Sequence, residues 1–208
     1  MPRGGVTESL EQRWLRMTEI ETQLHSRGIA HIAGLDEAGR GPLAGPVAAA
    51  AVILPPEARI LGLDDSKKLS EKKRLLLEEQ IKRQALAWSV SLVGPEIIDR
   101  INIREAARVA MTQAVRQLRI SPEYLLIDAL TLDLPLPQLD LIKGDSRSAS
   151  IAAASIIAKN TRDRLMLAYE QEYPGYGFAR HKGYPTPAHK AALRQLGPCP
   201  IHRLTFKY

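Results

Sequence analysis

The stretch that decides the fold is Ile32-Ala33-Gly34-Leu35-Asp36-Glu37-Ala38-Gly39-Arg40-Gly41-Pro42. Its apolar start predicts a buried strand that ends in two adjacent carboxylates, Asp36 and Glu37. Neighbouring side chains of a strand point to opposite faces, so we expect these acids to meet only where the strand ends and the backbone turns. Gly39 and Gly41 supply that turn and leave backbone N–H groups open to a ligand. Acids beside an open backbone predict a site that holds a divalent metal ion and a phosphate together.

The rest of the chain predicts a sheet around that strand. Four more apolar segments are typical of strands, at residues 47–54, 85–93, 124–128 and 139–142. The short connection from the first strand to residues 47–54 favours an antiparallel pair. Trp88 is expected to belong to the core. The last two segments carry acids at or just after their ends, namely Asp128 and Asp145.

Helical periodicity and capping residues predict five helices. They lie at residues 10–24, from Ser70 to about residue 84, at 103–118 after Asn102, from Ser148 for about six turns to Tyr173, and between Thr186 and Gly197. Together with the strands they predict one α/β domain, residues 1–208, built on a mixed sheet flanked by helices. In this prediction residues 1–28 are an N-terminal helical extension, and residues from about 175 to 208 form a C-terminal loop, helix and tail.

Composition limits the classes of function. A chain of 208 residues that is 45% hydrophobic can close one core, and a formal charge of +6 favours an anionic partner, with nucleic acid the first choice. Cys199 is the only cysteine, so an internal disulfide and a cysteine-rich zinc site are excluded and a reducing compartment fits. Residues 1–6 lack the apolar run of a signal peptide, and no segment approaches the roughly 20 apolar residues of a membrane span. We therefore expect a cytoplasmic protein that does not enter a membrane.

The acids themselves indicate the chemistry. Asp36, Glu37, Asp128 and Asp145 come from three segments that this fold could bring to one place. Crowded carboxylates raise one another's pKa unless a cation neutralises them, and hard oxygen ligands favour Mg²⁺ or Mn²⁺ over zinc. Two such ions about 3.5–4 Å apart can clamp a phosphodiester for attack by water. The acids therefore predict a metal-dependent nuclease centre, with surrounding Lys and Arg residues holding the nucleic-acid backbone.

Two other groups of residues have less specific patterns. Lys67, in the polar loop before the second helix, is interpreted either as a phosphate contact or as part of a solvated face. His181, His189 and His202 have no metal-ligand spacing with one another or with Cys199, which argues against a zinc site. His181 is interpreted as a hydrogen-bonding loop residue, with a phosphate contact or proton transfer as the alternative.

The segment Gly34-Leu35-Asp36-Glu37-Ala38-Gly39-Arg40-Gly41-Pro42-Leu43-Ala44-Gly45-Pro46-Val47 resembles the signature of type 2 ribonuclease H, the ribonuclease HII family. Further segments resemble that family in the same order: Asp65-Ser66-Lys67-Lys68-Leu69, Leu126-Ile127-Asp128, Lys143-Gly144-Asp145, the Ala-rich run 150–159, Tyr176-Gly177-Phe178 and His181-Lys182-Gly183-Tyr184-Pro185-Thr186. Several collinear motifs are far more specific than any one of them. They cover nearly all of residues 29–196.

The resemblance implies a ribonuclease H-like fold and Mg²⁺- or Mn²⁺-dependent cleavage of RNA within a duplex with DNA, which leaves 5′-phosphate and 3′-hydroxyl ends. It implies that Asp36, Glu37, Asp128 and Asp145 are the catalytic acids that hold the metal ions. It also implies that Gly39-Arg40-Gly41 reads the ribose 2′-hydroxyl, largely through backbone groups, and that Tyr184 packs against the sugar at the RNA–DNA junction. The 2′-hydroxyl is the group that distinguishes RNA from DNA.

The sequence leaves alternative functions open and departs from the family pattern at one position. A junction resolvase of the same fold and a non-catalytic nucleic-acid-binding protein are the alternative functions, and the retained acids and the Gly-Arg-Gly and Lys-Gly-Tyr motifs disfavour them. Asn160 stands where an apolar residue is expected, a change that we expect to affect helix packing and not chemistry. The C-terminal residues show no sliding-clamp motif. A monomer is expected.

Overall fold

The computed structural model describes residues 8–207. The expectation for the first six residues therefore lies outside the described part of the protein. Within that part, no helix combines the length and the apolar character that crossing a membrane requires.

The sheet has five strands: β1 (Ile32–Ala38), β2 (Val47–Ile53), β3 (Ala87–Val93), β4 (Tyr124–Asp128) and β5 (Gln138–Leu141). Their order is β3-β2-β1-β4-β5. The first three strands are antiparallel neighbours, whereas β4 and β5 run parallel to β1. This arrangement confirms the predicted mixed sheet and the antiparallel pairing of β1 with β2. It also places the carboxyl ends of β1 and β4 at the same edge.

The helices are α1 (Leu10–Met17), α2 (Glu19–Ser26), α3 (Glu71–Gln84), α4 (Pro95–Ile101), α5 (Ile103–Arg116), α6 (Ala149–Glu172), α7 (Phe178–His181) and α8 (Pro187–Leu196). A short 3₁₀ turn, Gly144–Ser146, precedes α6. The predicted caps of α3, α5 and α8 are confirmed, because the side chains of Ser70, Asn102 and Thr186 each accept a hydrogen bond from a backbone N–H in the first turn. Ser148 caps α6 in the same way. Capping of this kind satisfies donors that have no partner within the helix.

The sheet is buried on both faces. Ala33 and Leu35 of β1 point to the face covered by α5, in a cluster that also contains Met111. On the opposite face α6 packs with α3 and with Met17 of α1. Because both faces are covered, β2 reads as a continuous apolar run, and all seven of its residues are buried.

Helix α6 crosses β1 at very close range over Gly34. A Cβ built on Gly34 would clash with the carbonyl carbon of Ser150 and with the backbone nitrogen of Ile151. The alanines that follow, at positions 152, 153, 154 and 158, are also buried against the sheet face. The small residues predicted on this helix thus allow its backbone to approach the sheet, as expected from their size.

Several sequence-based expectations need correction. The N-terminal helix is interrupted at Thr18, so residues 10–24 form two helices instead of one. Helix α4 was not predicted, although Gly94 and Pro95 occupy the ordinary positions for a helix start. Trp88 is 40% exposed and not part of the core, because β3 is an edge strand and the ring lies under Lys82, whose Nζ is 4.6 Å from the ring centroid.

Asn160 takes part in helix packing, as predicted. It is buried in α6, where its Oδ1 accepts a hydrogen bond from Arg74 Nε at 3.1 Å. Its Nδ2 donates to Arg74 O at 3.1 Å and to Glu78 Oε2 at 2.8 Å. The amide therefore joins α6 to α3 with its donors and its acceptor satisfied, which a buried polar side chain requires.

Candidate active site

Strand β1 continues past the two acids instead of ending at them. Asp36 pairs with Ala50 and Glu37 with Ala49, and the ladder runs on to Ala38. The prediction that the strand ends at the carboxylates is therefore wrong, because β2 supplies partners for the whole segment. The alternation of the strand sends Asp36 and Glu37 to opposite faces, with Asp36 on the α6 side beside the Ser155 hydroxyl.

Asp36 is the most constrained carboxylate of the site. Its side chain is buried, and its Oδ1 accepts a hydrogen bond from the backbone N of Glu37 at 2.7 Å. Burial, followed by the charges of Glu37 and Asp128, holds the pKa of Asp36 well above its usual value, against the opposing effect of the Ser155 hydroxyl. The ionised form of Asp36 therefore lacks compensating charge in the protein alone.

The second and third acid-bearing segments meet at the end of β4. Asp128 is the last residue of that strand, and its Oδ1 accepts a hydrogen bond from the backbone N of Gly144 at 2.7 Å. This bond ties the strand end to the turn that carries Asp145. Burial and the charges of Asp65 and Asp128 raise the pKa of Asp145 to about 6. The acids predicted from three separate segments thus influence one another across the same edge of the sheet.

A cavity of about 320 Å³ opens at this edge. Acidic and basic side chains line it, namely Asp65, Lys67, Lys68, Asp128, Lys143 and Asp145. Burial lowers the pKa of Lys67, but the negative charges of Asp36, Asp65 and Asp145 outweigh that effect and raise it. Lys67 therefore stays positively charged between the acids. Sequence reasoning left Asp65 out of the site, although it begins one of the family-like motifs.

The carboxylate of Glu37 has a polar partner for only one of its two oxygens. Its Oε1 lies 3.5 Å from Arg40 Nη1, whereas its Oε2 is buried and has no hydrogen-bond partner. Burial raises the pKa of Glu37, against the opposing charge of Arg40. Across residues 8–207, no three His, Cys, Asp or Glu side chains are grouped closely enough to hold a metal ion as they stand.

The glycine-flanked turn after β1 is held by two buried arginines that sequence reasoning missed. Arg203 donates to the carbonyl oxygens of Gly39, Arg40 and Gly45 at 2.6–3.0 Å. Arg162 donates to those of Ala44, Pro46 and Lys182, each at 2.9 Å. Both arginines are only 1% exposed, and burial lowers their pKa values, to about 10 for Arg162 and about 9 for Arg203. No local sequence pattern predicts the burial of these two arginines, because an isolated Arg usually predicts a solvent-facing position.

The backbone conformation and the close packing at position 39 require glycine. Its φ of +97° lies in the region that favours glycine, and a Cβ there would meet Pro46 O at 2.9 Å and the Arg162 side chain closer still. Gly41 has more space: a Cβ would lie 3.6 Å from Cε1 of Tyr184. The ring of Tyr184, which is 41% exposed, therefore lies beside the turn.

Two histidines, His181 and His189, anchor the segment that carries Tyr184. The backbone N of Gly183 donates to His181 Nδ1 at 3.2 Å, and His181 Nε2 donates to Tyr176 O at 2.8 Å. His189 Nδ1 donates to Tyr184 O at 3.0 Å. His181 makes hydrogen bonds as predicted, but it is the last residue of α7 and does not lie in a loop.

The hydrogen bonds of His189 and His202 define one set of tautomers. Because Tyr184 O can only accept, His189 carries its proton on Nδ1, and its Nε2 must accept from His202 Nε2 at 3.1 Å. His202 Nδ1 in turn accepts from the backbone N of Cys199 at 2.9 Å. Both rings are buried, and burial lowers the pKa of His202 to about 4 and lowers that of His189. The network therefore requires neutral imidazoles.

We expect this network to make the protein less stable in acid. The folded pKa of His202 lies below its unfolded value of 6.5, so its contribution is lost as pH falls from about 6.5 to about 4. The pKa values of Asp36, Glu37 and Asp145 are raised, so protonation of these three acids favours the folded state as the pH falls. The test is therefore urea unfolding of the parent and of His202→Gln across this range, in which the parent should lose about 1–2 kcal/mol more than the variant. Parallel profiles would contradict the assignment.

Comparison with known proteins gives consistent matches. The family model described as Ribonuclease HII matches residues 33–208. The ribonuclease HII of Bacillus subtilis (strain 168) is 53% identical over 199 residues, which are 96% of this chain and 78% of that protein. The crystal structure of ribonuclease H2 from Pyrococcus horikoshii OT3 superimposes with a TM-score of 0.73 at 30% identity, over 85% of this chain and 94% of that one. The structure of the PCNA:RNase HII complex from Archaeoglobus fulgidus gives a TM-score of 0.73 at 29% identity, over 86% and 96% of the two chains.

Proposed function

This chain belongs to the ribonuclease HII family and is a metal-dependent endoribonuclease that degrades RNA in RNA–DNA hybrids, and on this premise we propose which of its side chains carry out the reaction. The observation that carries the proposal is the electrostatic coupling of acids from three segments at one sheet edge. Asp128 contributes to the raised pKa of Asp36, of Glu37 and of Asp145. We propose that Asp36, Glu37, Asp128 and Asp145 are the catalytic acids.

The acids fit divalent cations on two grounds. The raised pKa values of Asp36, Glu37 and Asp145 mean that the ionised forms of these three acids are unfavourable without added positive charge. The buried Glu37 Oε2 is in addition a hard oxygen ligand without a donor. We propose that these carboxylates hold two Mg²⁺ or Mn²⁺ ions during the reaction. Bound there, the ions would activate the attacking water and stabilise the leaving 3′ oxygen, giving 5′-phosphate and 3′-hydroxyl ends.

The other residues at the site bind and orient the duplex in this proposal. The positively charged Lys67 is placed to pair with a phosphate at the rim of the acidic cavity. The turn Gly39-Arg40-Gly41 presents backbone groups to the ribose 2′-hydroxyl, and Tyr184 beside it packs on the sugar. Since DNA lacks that hydroxyl, these contacts would restrict cleavage to ribonucleotides.

The test is cleavage of duplex DNA that contains a single ribonucleotide, with Mg²⁺, with Mn²⁺ and with a chelator. We expect a nick on the 5′ side of the ribonucleotide that depends on the metal, and no nick in a duplex made of DNA alone. A duplex with a run of ribonucleotides should also be cut. Such specificity corresponds to removal of ribonucleotides that have been misincorporated into DNA.

The same experiment separates the alternatives. Equal cutting of four-way DNA junctions would favour a junction resolvase. Binding without cutting at any metal concentration would favour a non-catalytic nucleic-acid-binding protein. Cleavage that continues undiminished in chelator would contradict the metal-dependent mechanism.

We also propose that the protein works as a monomer in the cytoplasm. The Archaeoglobus fulgidus relative is recorded in a complex with PCNA. The C-terminal residues of this chain show no clamp-binding motif, so its sequence does not support such a partner. Light scattering of the active fraction measures the state of assembly.

A further inference from the structure

Helices α1 and α2 lie before residue 33, where the family match begins, yet they reach both loops that carry charged groups into the acidic cavity. The first loop contains Asp65 and Lys67, and the second is the turn that carries Asp145. We infer that Arg13 and Arg16 of α1 are positioning residues, which fix these two loops relative to each other and so set the catalytic geometry. The inference rests on the proposed role of Asp145.

The first contact is an ion pair. Arg13 Nη1 lies 2.6 Å from Asp64 Oδ2, and the Asp64 side chain is only 17% exposed. Asp64 Oδ1 accepts a hydrogen bond from the backbone N of Asp65 at 2.9 Å, and Asp65 Oδ1 accepts one from the backbone N of Lys67 at 2.9 Å. A continuous series of bonds therefore leads from α1 to the backbone of Lys67.

The second contact reaches the other loop. Arg16 Nη1 donates to the carbonyl oxygen of Ser146, the residue after Asp145, at 2.9 Å. Glu21 of α2 holds the start of α6, which follows that turn, because its Oε1 accepts from Ser148 Oγ at 2.6 Å and from the backbone N of Ser150 at 3.0 Å. Arg16 thus holds the turn of Asp145 itself, and Glu21 holds the beginning of the helix that follows it.

Glu8 joins the two arginines. Its carboxylate lies 3.2 Å from Arg13 Nε and 2.8 Å from Arg16 Nε. These hydrogen bonds, with Arg16 as the largest contributor, lower the pKa of Glu8 to about 2. The guanidinium groups are therefore held beside each other, one directed at each loop. Met17, buried in the core, fixes the helix that presents them.

Another ion pair on the same helix supplies a matched control. Glu11 of α1 pairs with Arg59, and neither residue contacts the loop of Lys67 or the turn of Asp145. Glu11→Gln therefore removes a surface ion pair of α1 without touching either loop. Surface pairs of this kind contribute only about 0–1 kcal/mol, so the control and the test variants should all stay folded.

The experiment compares the parent, Glu11→Gln, the double variant Arg13→Gln/Arg16→Gln and the conservative double variant Arg13→Lys/Arg16→Lys. We expect the Gln double variant to lose about tenfold in kcat with KM for the single-ribonucleotide duplex nearly unchanged. Its affinity for Mn²⁺, measured without substrate by titration, should fall by about tenfold as well. The Lys double variant should recover most of both losses, and Glu11→Gln should match the parent. Thermal unfolding verifies that all four proteins are folded.

The outcomes are distinct. If the Gln double variant matches Glu11→Gln in kcat and in Mn²⁺ affinity, the positioning role is refuted. If KM rises while kcat and Mn²⁺ affinity are unchanged, the arginines contact the nucleic acid instead, and the inference also fails. A parent that does not cleave the duplex would refute the proposed function and not the inference, because the Mn²⁺ titration would still show whether α1 shapes the acidic cavity.

Discussion

Replacement of Asp36 by Asn is expected to abolish cleavage while leaving duplex binding nearly intact. The carboxylate is the proposed centre of the metal site, and an amide brings no negative charge to a divalent cation. Loss of one such ligand should lower kcat on the order of 10³-fold or more. The measurement is single-turnover cleavage of the single-ribonucleotide duplex, together with binding of the uncut duplex in the presence of Ca²⁺.

A matched variant separates this effect from a change of net charge. Asp140 is an exposed acid on β5, so Asp140→Asn changes the formal charge equally without entering the cavity. That variant should cleave at the parent rate. Activity of Asp36→Asn within severalfold of the parent would show that the assignment of the metal-bridging residue is wrong.

The same substitution should stabilise the metal-free protein. The folded pKa of Asp36 is raised, so the ionised carboxylate destabilises the folded state increasingly as pH rises above its unfolded value of 3.8. Asn carries no such charge, and at neutral pH the variant should unfold at higher urea, by on the order of 1 kcal/mol. Saturating Mn²⁺ should reduce or reverse the difference, since only the parent keeps the full ligand set.

Gly34→Ala is expected to have the largest effect on stability. The added methyl group would meet the backbone of α6 at Ser150 and Ile151, and backbone atoms cannot rotate away as a flexible side group does. Either the helix or β1 must move, and both are packed in a dense core. We expect a loss of about 4 kcal/mol or more, enough to leave little folded protein at 37 °C. Circular dichroism during urea unfolding measures the change.

Gly94→Ala is the control for this substitution. Gly94 has a φ of −73°, which alanine adopts readily, and nothing lies within 4 Å of the position of its Cβ. Its loss of stability should stay below about 1 kcal/mol, the range of a change at a helix cap. A Gly34→Ala protein as stable as Gly94→Ala would mean that α6 does not approach β1 as closely as described.

The sequence predicted those parts of the protein whose signals are local. The apolar run from Val47 and the cap at Ser70 each define an element within a few residues, and both elements form as expected. The position of Asp128 at the end of a short strand could likewise be predicted, because the strand and the acid are adjacent in the sequence. Collinear motifs then supplied what periodicity could not, namely the grouping of acids from distant segments.

Features that depend on partners from distant segments were not predictable. The exposure of Trp88 follows from the position of β3 at the sheet edge, which only the strand order reveals. The continuation of β1 past Asp36 depends on the length of β2. The burial of Arg162 and Arg203 depends on carbonyl groups far away in the sequence, so no pattern around either arginine could indicate it.

Those two arginines have a consequence for how a duplex can bind. Six carbonyl oxygens on and around the turn after β1 are already engaged by guanidinium donors, so this turn cannot swing shut over an incoming strand. The turn loses its conformational entropy when the protein folds, so substrate binding does not have to order it. A nucleic acid that binds here must therefore adopt a shape complementary to this fixed turn. Selectivity then results from the exclusion of strands whose shape is not complementary to it.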